Sequence, residues 1–323
     1  MRIYKGMRDI IPYHFEGLNC YEDAVVSVIA RYRTDYKLLF FMFWGFVYEK
    51  NNVMGDGIKR NSVIFSRIIK DVFSIDLNMK WEMLDENKLE EIPVIIFMDT
   101  YWCSWHMDFK KSHHIHYVVI NEVHEEGVIC IDAAFEKEGT FISWEELKKG
   151  HTDNSYFSHD DYIPVTEFSG LDNEYSIPRD VLWNEMLNIF SMYDLDKAFK
   201  QLIYDFKTVF IFDKEYEMFE RNVTDVAMDR KLGMMCGCRK LFVLYLKELT
   251  QSVYVENLEP VIEKLEHSAK LWNSIKIILR KCYFSRYTEK SLKNIIEIIQ
   301  EISSIELEIF YLINVSKIIF DKC

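Results

Sequence analysis

The segment from residue 17 to residue 32 predicts a helix that begins with a cysteine. Asn19 is a favourable N-cap residue, and Glu22 completes the spacing of a capping box. Cys20 therefore takes the first helical position, where free backbone N–H groups and the positive end of the helix dipole favour a thiolate. A buried structural cysteine is the alternative, and a partner for the thiol decides between the two. Apolar residues with a helical period predict that the helix faces a core: Ala24, Val25, Val28, Ile29 and Tyr32.

Two short β-branched runs after residue 114 predict a hairpin with a histidine at its start and an aspartate at its end. A five-residue loop over 122–126 places His116 directly across from Asp132. A tighter turn that pairs Val123 with Val128 leaves Asp132 three residues short of His116, and a bulge must then bring the two together. Cysteine, then histidine, then carboxylate is the chain order of papain-like nucleophilic catalysis.

With these features, residues 1 to about 165 resemble the N-terminal domain of the BtrH-type family of butirosin biosynthesis. That family is related to the bacteriocin-processing cysteine peptidases and, more remotely, to papain. The resemblance is carried by His14 six residues before Cys20, by the aromatic segment 99–106 and its continuation over 110–119, and by the acidic strand end at Asp132. The stretch 143–147 is similar to the short capped helix that closes the family's domain.

The sequence departs from the family pattern in two places. The bulky run 38–46 replaces a glycine-rich stretch, and Tyr21 follows the cysteine where the family usually has glycine. The second nearby cysteine of the papain signature is also absent, which makes an ordinary endopeptidase the weaker expectation. These departures concern the acyl and acceptor pockets more than Cys20, His116 and Asp132.

The resemblance implies an α+β, papain-like domain that transfers an acyl group. Cys20 takes the group from the phosphopantetheine thioester of an acyl or peptidyl carrier protein and passes it to a small amine, which forms an amide. His116 moves the protons, and Asp132 fixes and stabilises its imidazolium. A thioester is already activated, so exchange with a thiolate needs no further energy source. We expect no bound cofactor, no metal, and a place in specialised metabolite biosynthesis.

Further residues are candidates for holding the substrate. The backbone N–H of Cys20 and the side chain of His14, with Asn19 beside them, are the expected oxyanion and positioning groups; a plain loop histidine is the alternative for His14. The aromatic residues Tyr101, Trp102 and Trp105 are expected to wall an acyl tunnel, or else to belong to the core. Two lysines ahead of the hairpin, Lys110 and Lys111, are expected to contact the pantetheine phosphate, or else to be loop charges.

Charge limits the partners. The net charge of −13 argues against general nucleic-acid binding and would repel an acidic carrier protein at long range. The segment 270–293 carries seven basic residues against the single acid Glu289, so it could dock such a carrier; solvated helix faces are the alternative. The basic residues are Lys270, Lys276, Arg280, Lys281, Arg286, Lys290 and Lys293.

Composition predicts two domains in a chain of 323 residues. Residues 1–165 mix helix and strand and form the papain-like catalytic domain, whereas 166–323 show helical periods and form an all-α helical bundle. The polar stretch 153–178 is the expected linker, and a long helix is expected to begin after a Thr288 cap. The apolar run 38–48 is too short to span a bilayer and is expected to be a core helix.

Seven scattered cysteines, with no apolar segment at the N-terminus, predict a cytoplasmic protein with reduced thiols. Two other functions remain open. Water could replace the amine, which would make the protein a cysteine hydrolase, either a peptidase or a thioesterase. A papain-like scaffold could also serve as an inactive binding protein. His114 and His116 share a strand face, so a zinc site is a further alternative for these histidines.

Overall fold

The computed structural model describes residues 10–60, 63–83, 93–152, 162–172, 177–216, 227–251, 253–285, 288–316 and 318–319. The chain divides into two units, each built from two stretches of sequence. The first unit consists of Met1–Tyr36 and Ser66–Tyr175, and the second consists of Lys37–Phe65 and Ser176–Cys323.

Helices and strands occur in both units. The α-helices are α1 Cys20–Tyr32, α2 Met54–Gly57, α3 Val63–Phe73, α4 Trp144–Thr152, α5 Arg179–Ser191, α6 Leu195–Thr208, α7 Phe212–Tyr216, α8 Ala227–Leu249, α9 Leu258–Phe284 and α10 Glu289–Val315. The 3-10 helices are Tyr36–Phe43 and Thr100–Trp102. The strands are β1 Val47–Tyr48, β2 Ile58–Lys59, β3 Asp76–Met83, β4 Val94–Asp99, β5 Ile115–His124, β6 Gly127–Asp132, β7 Lys137–Ser143, β8 Tyr162–Ser169, β9 Tyr254–Val255 and β10 Ile318–Ile319.

The first unit is built on a six-stranded antiparallel sheet in the order β3-β8-β4-β5-β6-β7. Its central strand β4 is buried at every position, as expected for a strand without a solvent face. Helix α1 packs against β5 and β4, and α4 packs against β4, β6 and β7. The predicted α+β class is confirmed for this unit. The predicted burial of α1 is confirmed for Ala24, Val25, Val28 and Ile29, which are fully buried, whereas Tyr32 is only partly buried.

The second unit is mainly helical. Helices α8, α9 and α10 pack in succession, and α6 packs against α10. The long helix predicted after Thr288 is confirmed: α10 begins at Glu289, and Thr288 caps it by accepting the N–H of Ser291. The unit also contains two short ladders, β1 with β2 and β9 with β10. The part of the chain that the structure describes contains no helix both long and apolar enough to cross a membrane.

The predicted division into 1–165 and 166–323 needs correction. Strand β8 runs across the predicted boundary and pairs with β3 and β4, so it belongs wholly to the sheet. The stretch 37–65 belongs to the second unit, where Trp44 packs on Phe190 and Phe242. Such long-range packing leaves no mark in local composition. The expected linker 153–178 lies largely outside the described residues. The run 38–48 is buried except for exposed Val47, but it forms a 3-10 helix followed by β1 instead of an α-helix.

Candidate active site

Cys20 lies at the first position of α1, as predicted. The capping box is present: Asn19 Oδ1 accepts the N–H of Glu22 at 2.9 Å, and Glu22 Oε2 accepts the N–H of Asn19 at 2.9 Å. Asn19 therefore acts by fixing the start of the helix. The five other cysteines in the described part of the chain are buried, whereas Cys20 is partly exposed. This thiol thus combines access to solvent with a helix N-terminus.

A β-bulge brings His116 and Asp132 together. The hairpin has the tighter of the two predicted turns, with Val123 opposite Val128, and the register shifts between Ile120 and Glu122. Without this shift Asp132 would fall across from residue 119, on the opposite sheet face from His116. The extra residue moves Asp132 across from residue 118, which shares a face with His116. His116 Nε2 and Asp132 Oδ2 consequently lie 2.7 Å apart.

The Cys20 thiol lies close enough to His116 to contribute to the raised pKa of the imidazole. Because Nε2 of the imidazole is engaged by Asp132, Nδ1 is the atom left to face the sulfur. Cys20, His116 and Asp132 therefore form one chain of contacts, although the thiol and the imidazole are separated by almost a hundred residues of sequence. The three candidate catalytic residues predicted from the sequence are brought together.

The charges in this chain of contacts stabilise one another. Burial acts to lower the pKa of His116, but hydrogen bonds to Asp132 and Cys20, with the charges of both, outweigh it and raise the pKa to about 10. Burial acts to raise the pKa of Asp132, but the hydrogen bond and the charge of His116 hold it below its usual value. At neutral pH the site thus contains an imidazolium beside a carboxylate and the Cys20 sulfur.

Trp105 supports this site in a way that the sequence did not suggest. Its Nε1 donates to Asp132 Oδ2 at 2.6 Å, and the backbone N–H of Phe135 donates to Asp132 Oδ1 at 3.2 Å. Trp105 was predicted to wall an acyl tunnel or else to belong to the core. It packs against the core of the sheet, and its indole N–H holds the carboxylate that orients His116. The fully buried Asp132 side chain therefore has a partner on both oxygens.

His106 and Phe135 also contact the imidazole of His116. The ring centres of His106 and Phe135 lie 5.5 Å and 5.6 Å from that of His116, and 4.5 Å from each other. Burial and the charge of His116 lower the pKa of His106. His106 Nδ1 accepts the N–H of Asp108 at 3.0 Å, which is consistent with a neutral ring. No sequence pattern indicated this packing, because it depends on the loop after Thr100–Trp102.

His14 is held by a carboxylate on α1. Its Nδ1 lies 2.7 Å from Asp23 Oδ2, and Asp23 is fully buried while the His14 side chain is 43% exposed. The hydrogen bond to Asp23 raises the pKa of His14 against the opposing effect of burial. The predicted oxyanion role of His14 stays a prediction, as does its alternative as a loop histidine, although Asp23 holds the ring in place. Sequence analysis did not single out Asp23.

The remaining predicted substrate residues lie in the segment between β4 and β5. Tyr101 stacks on His113 with ring centres 4.4 Å apart. The ammonium group of Lys110 lies 3.1 Å from the ring centre of Trp102, and that of Lys111 donates to the carbonyl of Met107 at 3.0 Å. Both lysines are thus held within their own loop. Contact with a phosphate or an acyl chain stays a prediction for these four residues.

The three histidines just before and at the start of β5 face different carboxylates. His113 Nδ1 lies 2.7 Å from Asp99 Oδ2, and His114 Nε2 lies 3.9 Å from Asp108 Oδ2, whereas His116 faces Asp132. A shared zinc ion would need these side chains to converge. The arrangement favours Cys20 and Asp132 as the partners of His116.

The basic segment 270–293 covers the end of α9 and the start of α10. Arg280 forms an ion pair with Asp229, and Lys293 lies 3.9 Å from Glu297. Arg286 lies outside the described residues. Exposed basic residues on these helices include Lys270, Lys281, Lys290 and Lys293. Docking of a carrier protein on this surface stays a prediction.

No family model matches the sequence, and no curated protein matches it either.

Proposed function

We propose that the protein is a cysteine-dependent acyltransferase that forms an amide through an acyl-Cys20 intermediate. The observation that carries the proposal is the chain of contacts from the Cys20 thiol through His116 to Asp132. A thiol at a helix start, an imidazole and an orienting carboxylate are the groups that nucleophilic acyl transfer needs. A papain-like fold for the first unit is part of the proposal. It is supported by a cysteine-bearing helix that packs on an antiparallel sheet carrying the histidine and the aspartate.

In the first step the Cys20 sulfur attacks the carbonyl carbon of a thioester. A carbon–sulfur bond forms to Cys20, the bond to the donor sulfur breaks, and the departing thiolate takes the proton of His116. The backbone N–H of Cys20, at the first helical position, has no acceptor within the helix and is available to the carbonyl oxygen. Asp132, held by Trp105 and Phe135, keeps the imidazole aligned throughout.

In the second step an amine attacks the acyl-Cys20 carbonyl. The carbon–nitrogen bond forms, the bond to Cys20 breaks, and the amine proton passes to the neutral His116. The site returns to a thiolate beside an imidazolium, so no oxidant and no nucleotide is consumed. Water attacking in place of the amine would give the hydrolase, with the same residues and the same proton transfers.

The donor in this proposal is the phosphopantetheine thioester of an acyl or peptidyl carrier protein, and the acceptor is a small amine. Tyr101, Trp102, Lys110 and Lys111 are proposed to contact the donor, and the exposed lysines of α9 and α10 are proposed to meet the acidic carrier. We place the protein in the cytoplasm and in specialised metabolite biosynthesis. The cytoplasmic placement is supported by free thiols at Cys20, Cys103, Cys130, Cys236, Cys238 and Cys282.

Intact-mass analysis distinguishes transfer from hydrolysis. The protein is mixed with N-acetylcysteamine thioesters that carry acyl groups of differing polarity, and the adduct is followed with and without primary amines. We expect one acyl group on Cys20, discharged by an amine to give an amide faster than by water. An adduct that water discharges at the same rate with or without any amine tested would contradict the transferase and favour the hydrolase.

A further inference from the structure

The chain before α1 folds back along the first turns of that helix. The N–H of Tyr13 donates to Ser27 Oγ at 2.8 Å, and the N–H of Phe15 donates to Asp23 Oδ1 at 3.1 Å. Gly17, with a φ of 110°, makes the turn that returns the chain to Asn19. These contacts fix His14 beside the helix, so its position does not depend on the bound substrate.

Asp23 connects His14 to the nucleophile. Asp23 lies three residues after Cys20 on α1, and side chains with that spacing are neighbours on a helix surface. One oxygen of Asp23 accepts from Phe15, and the other faces His14 Nδ1. The start of α1 therefore carries a second histidine–aspartate pair within one helical turn of Cys20, in addition to His116 with Asp132.

The orientation of His14 decides when it can donate a hydrogen bond outward. Because Nδ1 is directed at the Asp23 carboxylate, a neutral ring keeps its proton on Nδ1 and presents a lone pair at Nε2. Nε2 carries a hydrogen only when the ring is doubly protonated. Among the described residues, Nε2 has no hydrogen-bond partner, and the half-exposed ring can reach a bound molecule.

Several charges act on this pair. The hydrogen bond to Asp23 raises the pKa of His14; burial opposes it, and the charges of Asp23, Glu136 and Glu16 add to the increase. Burial raises the pKa of Asp23, with a further contribution from the charge of Asp132, although His14 and the Phe15 N–H oppose it. The protonated ring thus persists to a higher pH than that of an unperturbed histidine and is lost as the pH rises further.

We propose that Asp23 is a positioning residue that makes acyl transfer at Cys20 depend on pH. Because Asp23 holds Nδ1 of His14, the His14 ring can donate Nε2–H to the substrate oxyanion only when both of its nitrogens are protonated. The inference rests on the proposed function. It adds that the protonation of His14 controls hydrogen-bond donation to the oxyanion. The proton of His14 stays on the ring during transfer. Bond formation and bond cleavage occur at the acyl carbon alone.

The test compares two reactions of the same sulfur in the full chain. Acylation by a thioester passes through an oxyanion, whereas alkylation by iodoacetamide does not. The rate of acylation divided by the rate of alkylation therefore isolates the oxyanion donor from the reactivity of Cys20. The ratio is measured from about pH 6 to about pH 9, a range that includes the titration of a raised histidine.

For wild type, we expect the ratio to fall as pH rises through the pKa of His14. His14→Ala should lower acylation by about 100-fold at pH 6 and leave alkylation within about twofold, since a lost oxyanion donor has an effect of this size. His14→Gln keeps an amide donor, so it should restore much of the rate and remove the pH dependence. His124→Gln removes an exposed histidine that also faces a carboxylate, Glu122, and should behave like wild type.

Asp23→Asn gives the result that a merely structural role would not produce. The N–H of Phe15 holds the Asn oxygen, so the Asn amide would donate to His14 Nδ1 and leave the ring proton on Nε2. We expect its ratio to lose the alkaline fall. Thermal unfolding of the same samples checks that the variant is folded.

The inference fails if the wild-type ratio is independent of pH, if Asp23→Asn keeps the wild-type profile, or if His14→Ala slows both reactions equally. These outcomes leave acyl-Cys20 formation intact and so leave the proposed function standing. No acylation of wild-type Cys20 by any thioester would overturn the proposed function and this inference with it.

Discussion

Cys20→Ala should eliminate the acyl adduct completely while the protein stays folded. The sulfur is the atom that bonds to the acyl carbon, and none of the other cysteines in the described chain is exposed or joined to His116. Cys20 is partly exposed at a helix start, so its loss leaves no large cavity. Intact-mass analysis after exposure to a thioester checks the result, and thermal unfolding checks the fold.

Cys282→Ala is the matched control for this experiment. Cys282 is buried in α9, in the second unit, and its thiol has no part in the proposed reaction. This variant should acquire the acyl group as wild type does. An adduct that persists in Cys20→Ala, or one that disappears in Cys282→Ala, would assign the nucleophile to another residue.

Glu306→Ala should destabilise the second unit by about 3–5 kcal/mol, because it leaves a buried guanidinium without its partner. Arg239 on α8 donates to Glu306 Oε1 at 2.7 Å and to Oε2 at 2.5 Å, and both side chains are fully buried. From α9, Ser268 and Trp272 donate to Oε1 at 2.6 Å and 3.0 Å. One carboxylate on α10 thus satisfies donors from two other helices.

Chemical denaturation of Glu306→Ala and of Glu308→Ala measures this effect. Glu308 lies two residues further along α10 and pairs with Lys264 at 2.8 Å on the surface, so its loss should change the free energy of unfolding by about 0–1 kcal/mol. Replacing Arg239 by an apolar residue in addition should recover the part of the loss that the unpaired guanidinium causes. The part that comes from Ser268 and Trp272 should remain, because both buried donors still lack their acceptor. Equal effects of the two single variants would show that burial of the ion pair has no energetic consequence.

Features encoded by neighbouring residues could be predicted from the sequence. The capping box of Asn19 and Glu22, the position of Cys20, and the Thr288 cap of α10 each depend on a few consecutive residues. Cys20, His116 and Asp132 could be predicted as candidate catalytic residues, because few residue types can act as nucleophile, base and orienting carboxylate. Their convergence depends on the sheet, and the resemblance to a known family supplied that expectation.

Features that depend on tertiary packing could not be predicted. The turn and bulge of the hairpin were left open, because residue 121 shows no local signal for the shift in register. Trp105 and Asp23 reach their partners only after the loop and the N-terminal segment fold back. The bulky run 38–48 was expected to form a helix in the first domain, but its aromatic side chains are buried in the second unit.

The central claim is that one ring nitrogen of His116 faces the Cys20 sulfur and the other faces the Asp132 carboxylate. The protonation state of His116 tests this claim most directly. In a nitrogen NMR titration with labelled histidine, the His116 ring should remain an imidazolium through neutral pH and titrate near pH 10, and Cys20→Ser should lower that midpoint. A His116 ring that titrates near its ordinary value of about 6.5, unchanged by Cys20→Ser, would contradict the account.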